Sequence, residues 1–188
     1  MITRRLKSIG AARGFTLIEL IIFIVIVSAA LAGVLSVLNQ STARSADPQL
    51  RRQALAIAES LLEEVQLMPF TYCDPDDAAV DSATSAASCT TPQAIGPETG
   101  ETRTGSTQFD NVNDYHGYTM ASGISDISGA AVAGLGSYAA SIAVQAAALG
   151  SIPASGDAVR ITVTVTGPGG TQVKLEGWRT RYAPKAAF

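Results

Sequence analysis

A carboxylate, a pair of cysteines and a lone histidine are the side chains whose types and spacing suggest chemistry. Glu19 is the only charged residue between Phe15 and Leu38. A carboxylate inside a spanning helix costs about 2.5–3.5 kcal/mol on insertion scales, and less near the interface. It therefore snorkels to lipid headgroups or takes a counter-charge from another chain. An amine freed by proteolysis at Phe15, four residues earlier, is such a counter-charge when carried by a neighbour displaced along the helix axis. The chemistry is then charge neutralisation between subunits. Cys73 and Cys89 are the only cysteines. Outside the cytoplasm they are expected to pair, and the disulfide contributes about 3 kcal/mol in the chain-entropy model. With one distant histidine they do not make up a metal-ligand set.

Other candidates point to bland roles. Asp74, Asp76, Asp77 and Asp81 offer oxygens, but the spacing is not that of an EF-hand, and an acidic solvated loop is expected. Asp110, Asn111, Asn113, Asp114 and His116 read as a turn-rich loop whose Asx side chains bond the backbone. His116 is the only histidine, and no G-x-S-x-G elbow accompanies it. "GPGG" at Gly167–Gly170 lacks the Lys-Ser/Thr of a phosphate loop and reads as a hairpin turn. No enzyme activity and no cofactor are expected.

The elements that must position these residues follow from the patterning. Arg4, Arg5, Lys7 and Arg13 form a basic head without an acidic residue, and beyond Arg13 nine basic residues face sixteen acidic ones. No basic patch that would track a phosphate backbone is visible, which argues against nucleic-acid binding. The apolar run from Phe15 to Leu38 makes a helix of about 36 Å, enough to cross a hydrocarbon core of roughly 30 Å. The basic flank predicts a cytoplasmic N-terminus, with the rest of the chain outside. An ordinary secretory signal fits poorly, because the run is long and Ser28-Ala29-Ala30 falls inside it.

Helical periodicity resumes after the apolar run. Leu50, Ala54, Ile57, Ala58, Leu61, Val65 and Met68 form one stripe, expected to pack on the protein's own sheet. Arg51, Arg52, Gln53, Glu59, Glu63 and Glu64 lie on other faces, expected to be solvated. Asp47-Pro48 either starts this helix as N-cap and first-turn proline or kinks one long helix. Thr71–Asn113 is polar and aperiodic. Alternation then predicts strands. Tyr138, Ile142 and Val144 point inward loosely, whereas Val159, Ile161, Val163 and Val165 alternate cleanly with Arg160, Thr162, Thr164 and Thr166. Val173, Leu175 and Gly177 share the inward face of the next strand. Trp178 has the opposite parity unless Gly177 marks a bulge. A further strand begins near Tyr118-Thr119-Met120. The order predicts an α+β fold, a long N-terminal helix over a small antiparallel sheet.

Gly14-Phe15-Thr16-Leu17-Ile18-Glu19 after a short basic leader resembles the class III signal of type IV prepilins and type II secretion pseudopilins. The resemblance implies that a prepilin peptidase cuts between Gly14 and Phe15, that the new amine of Phe15 is methylated, and that Glu19 aids docking into a growing filament. It also implies the pilin fold. The segments are then a leader at 1–14, a transmembrane and assembly helix at 15–38, its amphipathic continuation at 39–68, a disulfide-containing loop at 69–117 and a sheet at 118–188. "SADP", "AESLLEEV", "GPETGETRTGSTQFDNVNDYHGY" and "LEGWRTRY" are similar to minor pilins of MSHA-type (mannose-sensitive haemagglutinin) pili. That similarity implies a low-abundance subunit that primes or caps assembly. Its partners would be other pilins, the peptidase and the assembly platform, first in the inner membrane and then at the cell surface. Alternatives are a minor pseudopilin, a tip adhesin or other binding module, and an anchored periplasmic enzyme.

Overall fold

A computed structural model describes residues 14–185, apart from the side chains of residues 40–47. The basic head, Arg4 to Arg13, and the Asp47 side chain lie outside the described residues. The chain divides into two compact units, Met1–Ser45 and Ala46–Phe188. One helix, α1 (Leu17–Leu67), contributes residues to both. Pro48 lies inside it, so no new helix starts at Asp47-Pro48. Proline removes one helical N–H and crowds the preceding turn. The boundary between the units falls three residues before it.

Over Leu17–Leu38 every residue of α1 but Glu19 is uncharged, and apolar side chains lie on all sides. Leu17–Asn39 is long and apolar enough to cross a membrane, and its large side chains are exposed, from Leu17 at 77% to Leu38 at 56%. A helix that is apolar all round needs lipid or other protein around it.

The second unit holds the core. The strands are β1 (Thr119–Met120), β2 (Ala139–Ala146), β3 (Ala158–Thr166) and β4 (Gln172–Thr180), forming one antiparallel sheet in chain order. Ala54, Ile57, Ala58, Leu61 and Val65 of α1 are buried in one cluster with Ile142, Val144, Val159, Ile161, Val163, Val165 and Val173 of the sheet. The period of the helix and that of the strands thus meet in a single core. At the near end of this contact, the Tyr138 hydroxyl donates to Gln53 Oε1 at 2.8 Å.

β4 pairs with β3 residue for residue, Arg160 opposite Trp178 and Ile161 opposite Gly177, so no bulge intervenes and Trp178 keeps its outward parity. Gly177 has a different purpose. A Cβ there would stand 2.5 Å from Gln66 Nε2 and 2.9 Å from Leu62 Cδ1, so its absence lets α1 approach β4. The turn between β3 and β4 is a short 3-10 helix, Pro168–Gly170, with Gly169 at φ 68°.

The connecting segment contains more order than its composition suggests. It carries 3-10 helices at Ala86–Ser88 and Val112–Tyr115 and isolated bridges at Cys73–Pro92 and Thr102–Gln108. Two expectations of solvation need correction. Glu64, on the charged side of α1, is engaged by a buried arginine (below). Asp77 is only 7% exposed, because its carboxylate accepts the backbone N–H groups of Ala79 and Thr91. Those bonds, that from Thr91 foremost, hold it below the usual carboxylate range.

Candidate functional site

The N-terminal site is built by the start of α1. Gly14, Phe15 and Thr16 precede the helix, and all three are exposed, Phe15 at 85%. The Thr16 hydroxyl accepts the Glu19 N–H at 3.3 Å, and the Leu20 N–H reaches the Thr16 carbonyl at 3.2 Å. Thr16 and Glu19 thus have the Thr-x-x-Glu spacing of a capping box, of which the threonine half is formed. This local role for Thr16 follows from spacing alone, yet the apolar run that follows draws attention away from it. Glu19 sits in the first turn, where the helix dipole favours a negative charge. It is exposed amid apolar neighbours and free to meet a cation from outside its own chain.

Residues 10–35 match a family model described as a prokaryotic N-terminal methylation motif. The chain carries a prepilin-type methylation motif. It covers Gly14, Phe15, Glu19 and most of the apolar segment, and it accords with the type IV pilin and pseudopilin superfamily. No curated protein and no solved structure matches the chain. The motif and the exposed apolar helix are both consistent with a single membrane-spanning segment at the N-terminus.

The second unit presents polar groups of its own. Cys73 and Cys89 form a disulfide with an S–S distance of 2.04 Å and a Cα–Cα separation of 5.3 Å. Buried Cys73 belongs to a small satellite core with Val80 and Ala83, which gives this otherwise polar loop something to fold around.

Arg103 is the functional-type side chain that periodicity does not reveal. It is 3% exposed and pairs bidentately with Glu64, Nε to Oε1 and Nη2 to Oε2 both at 2.7 Å. Its Nη1 donates to the carbonyls of Ser125 and Asp126 at 3.2 and 2.9 Å. The Tyr115 hydroxyl donates to the same Glu64 oxygen at 2.9 Å. Bonding to Glu64 raises the arginine's pKa above its ordinary value, and burial raises that of the Tyr115 phenol. One carboxylate on α1 thus gathers three loop segments. A glutamate beside an apolar stripe was the available signal; its partner lies 39 residues away.

The Asx-rich segment behaves as expected in part. Asn111 caps Val112–Tyr115, accepting from the Asn113 N–H, while the Asp114 carboxylate accepts the Asn111 N–H at 2.7 Å. Yet Asn111, Asn113 and Asp114 are all buried, so this is a packed corner and no open loop. Asp74, Asp76 and Asp110 each bring an oxygen within 4.8 Å of the others, as do Glu98, Glu101 and Asp114. The structure separates Asp77 and Asp81 from both groups. His116 Nδ1 accepts the Val144 N–H at 3.2 Å, which ties the loop to β2.

Proposed function

We propose that this chain is a minor type IV pilin of the MSHA kind, resembling the minor pilin MshD. It is made as an inner-membrane prepilin with its N-terminus in the cytoplasm and its head in the periplasm. The peptidase cuts between Gly14 and Phe15, and the new amine of Phe15 is methylated. Glu19 then neutralises the N-terminal ammonium of an adjoining subunit as the chain leaves the membrane for the filament, where it primes or caps assembly. In this reading the chain catalyses nothing, and its partners are other pilins.

One observation supports the prepilin part of this reading: the methylation motif at residues 10–35 overlaps an apolar helix, Leu17–Asn39, whose large side chains are exposed; the MSHA kind rests on the sequence similarity alone. A cleavable basic leader alone would suit any exported protein. A carboxylate retained in the first turn of a long bare helix suits one that must later bury that helix among copies of itself. The disulfide supports a head that works in an oxidising compartment.

Intact-mass and N-terminal analysis of protein purified from cells tests the proposal. The expected species begins at methylated Phe15. A mature chain that still carries Met1, or has lost its apolar segment to an ordinary leader peptidase, would refute it.

A further inference from the structure

Six carboxylates gather where the segments after Tyr72, before Arg103 and around the 3-10 helix Val112–Tyr115 meet. Asp74, Asp76 and Asp110 form one triad, and Glu98, Glu101 and Asp114 the other. Asp114 is fully buried and Glu101 is 9% exposed. The donors offered to the second triad are few. Gln93 Nε2 reaches Glu98 Oε1 at 3.1 Å and Asp114 Oδ1 at 2.9 Å. Asp114 Oδ2 accepts the Asp110 and Asn111 N–H groups, and Glu101 Oε2 the Glu98 N–H. Glu98 Oε2 and Asp110 Oδ1 are buried and have no donor among the described residues.

Among the described residues, no cation is paired with the cluster. The charged groups that act on Glu98 are Glu101 and Asp114. Those acting on Asp110 are Glu101, Asp114, Asp74 and Asp76, and Asp114 feels Glu101 and Glu98. All are acids. The ion pairs of the described residues serve other carboxylates, Arg103 with Glu64, Lys174 with Glu176 and Arg181 with Asp157. An ionised carboxylate offers only acceptors, so a proton of its own is one way to satisfy a buried oxygen among others of its kind.

We propose that Glu98 is a proton-operated latch: as a neutral acid it supplies the missing donor and holds the 93–101 segment against Asp114, and on losing its proton to solvent it lets that segment loosen. The backbone contacts at the same joint are sparse, Gln93 N to the Tyr72 carbonyl and Gly96 N to the Asn113 carbonyl, both 3.0 Å. The segment therefore depends on its side chains. Burial pushes Glu98 up to about 8 and Asp110 up to about 7, and neighbouring carboxylates add to both. The folded head holds these protons more tightly than the unfolded chain does. Their contribution to stability is therefore fully present in acid, falls as pH rises from the ordinary carboxylate range, and is lost above the folded-state values. The latch does not depend on the pilin reading, because its groups lie wholly in the second unit.

The test is thermal and urea unfolding of the full chain in detergent micelles, from about pH 6 to about pH 9, with the unfolding constant rising by up to about tenfold per pH unit for each proton the folded head retains. Glu98→Gln keeps a neutral amide donor at every pH and should remove one proton's share of this slope, most visibly near pH 8, while its stability at the acidic end stays near that of the wild type. Glu101→Gln removes a repelling charge and should move the midpoint to lower pH. Difference infrared spectroscopy should show protonated-carboxyl absorption that persists to about pH 8 and that Glu98→Gln diminishes. An unchanged pH slope in Glu98→Gln, together with an unmoved midpoint in Glu101→Gln, would overturn the latch. So would a rise in melting temperature on adding CaCl2 at the alkaline end that Glu98→Gln abolishes, since the cluster would then serve a cation.

Discussion

Two glutamates on one helix show how surroundings decide what a carboxylate does. Glu19 lies among exposed apolar side chains and has no ion pair among the described residues, whereas Glu64 is held by Arg103 and Tyr115. On the proposed pilin reading, removing Glu19 should thus leave the fold intact and affect only assembly. We expect Glu19→Val to insert in the membrane normally but to be depleted from the pilus, read by immunoblot of sheared filaments against whole cells. Equal levels in the sheared fraction would contradict its assembly role. Removing Arg103 should do the reverse. Breaking a buried pair from one side costs about 3–5 kcal/mol, because the remaining charge is left without compensation. Urea unfolding of Arg103→Ala should show a loss near this size, with Tyr115 still bonded to the orphaned Glu64. Neither partner announces itself in the sequence, since Glu64 is one of several charged residues on its helix and Arg103 lies in an aperiodic stretch.

At the scale of elements, α1 serves two solvents. Its first part is apolar on every side, and its second part buries one stripe on the sheet. The stripe was legible because steps of three and four residues select a face, and alternation selected the inward residues of β3 and β4 equally well. What it could not show is how closely the two surfaces approach. Gly177 settles that by leaving room for Leu62 and Gln66. Gly177→Val should cost about 1–3 kcal/mol, as overpacking usually does, because Leu62 must move along with the flexible Gln66. Chemical denaturation would register this as a lower midpoint with an unchanged slope. An unaltered midpoint would mean that α1 shifts freely on β4.

For the whole molecule, the head relies on cross-links through a segment that has little core of its own. The disulfide closes the loop from Cys73 to Cys89, Glu64 draws Arg103 onto α1, and Asn111 Nδ2 donates to Thr71 Oγ1 at 2.8 Å. Cys73→Ser should lower stability by about 3 kcal/mol, and reduction of the wild type should lower it by a similar amount. Matching thermal shifts from the two treatments would assign the effect to the cross-link. A much larger shift in the substituted chain would assign it to packing of Cys73 against Val80 and Ala83.

The sequence by itself determined the membrane-length helix, the methylation motif, the α+β order and the inward face of each long strand. These depend on local periodicity and on contiguous residues, which survive without any knowledge of contacts. Only the tertiary structure decided that Glu64 meets Arg103, that Asp77 and Asp114 are buried, and that six acids converge at one joint. Those outcomes depend on side chains tens of residues apart being brought together by loops, and no spacing rule along the chain encodes the distance between two loops in space.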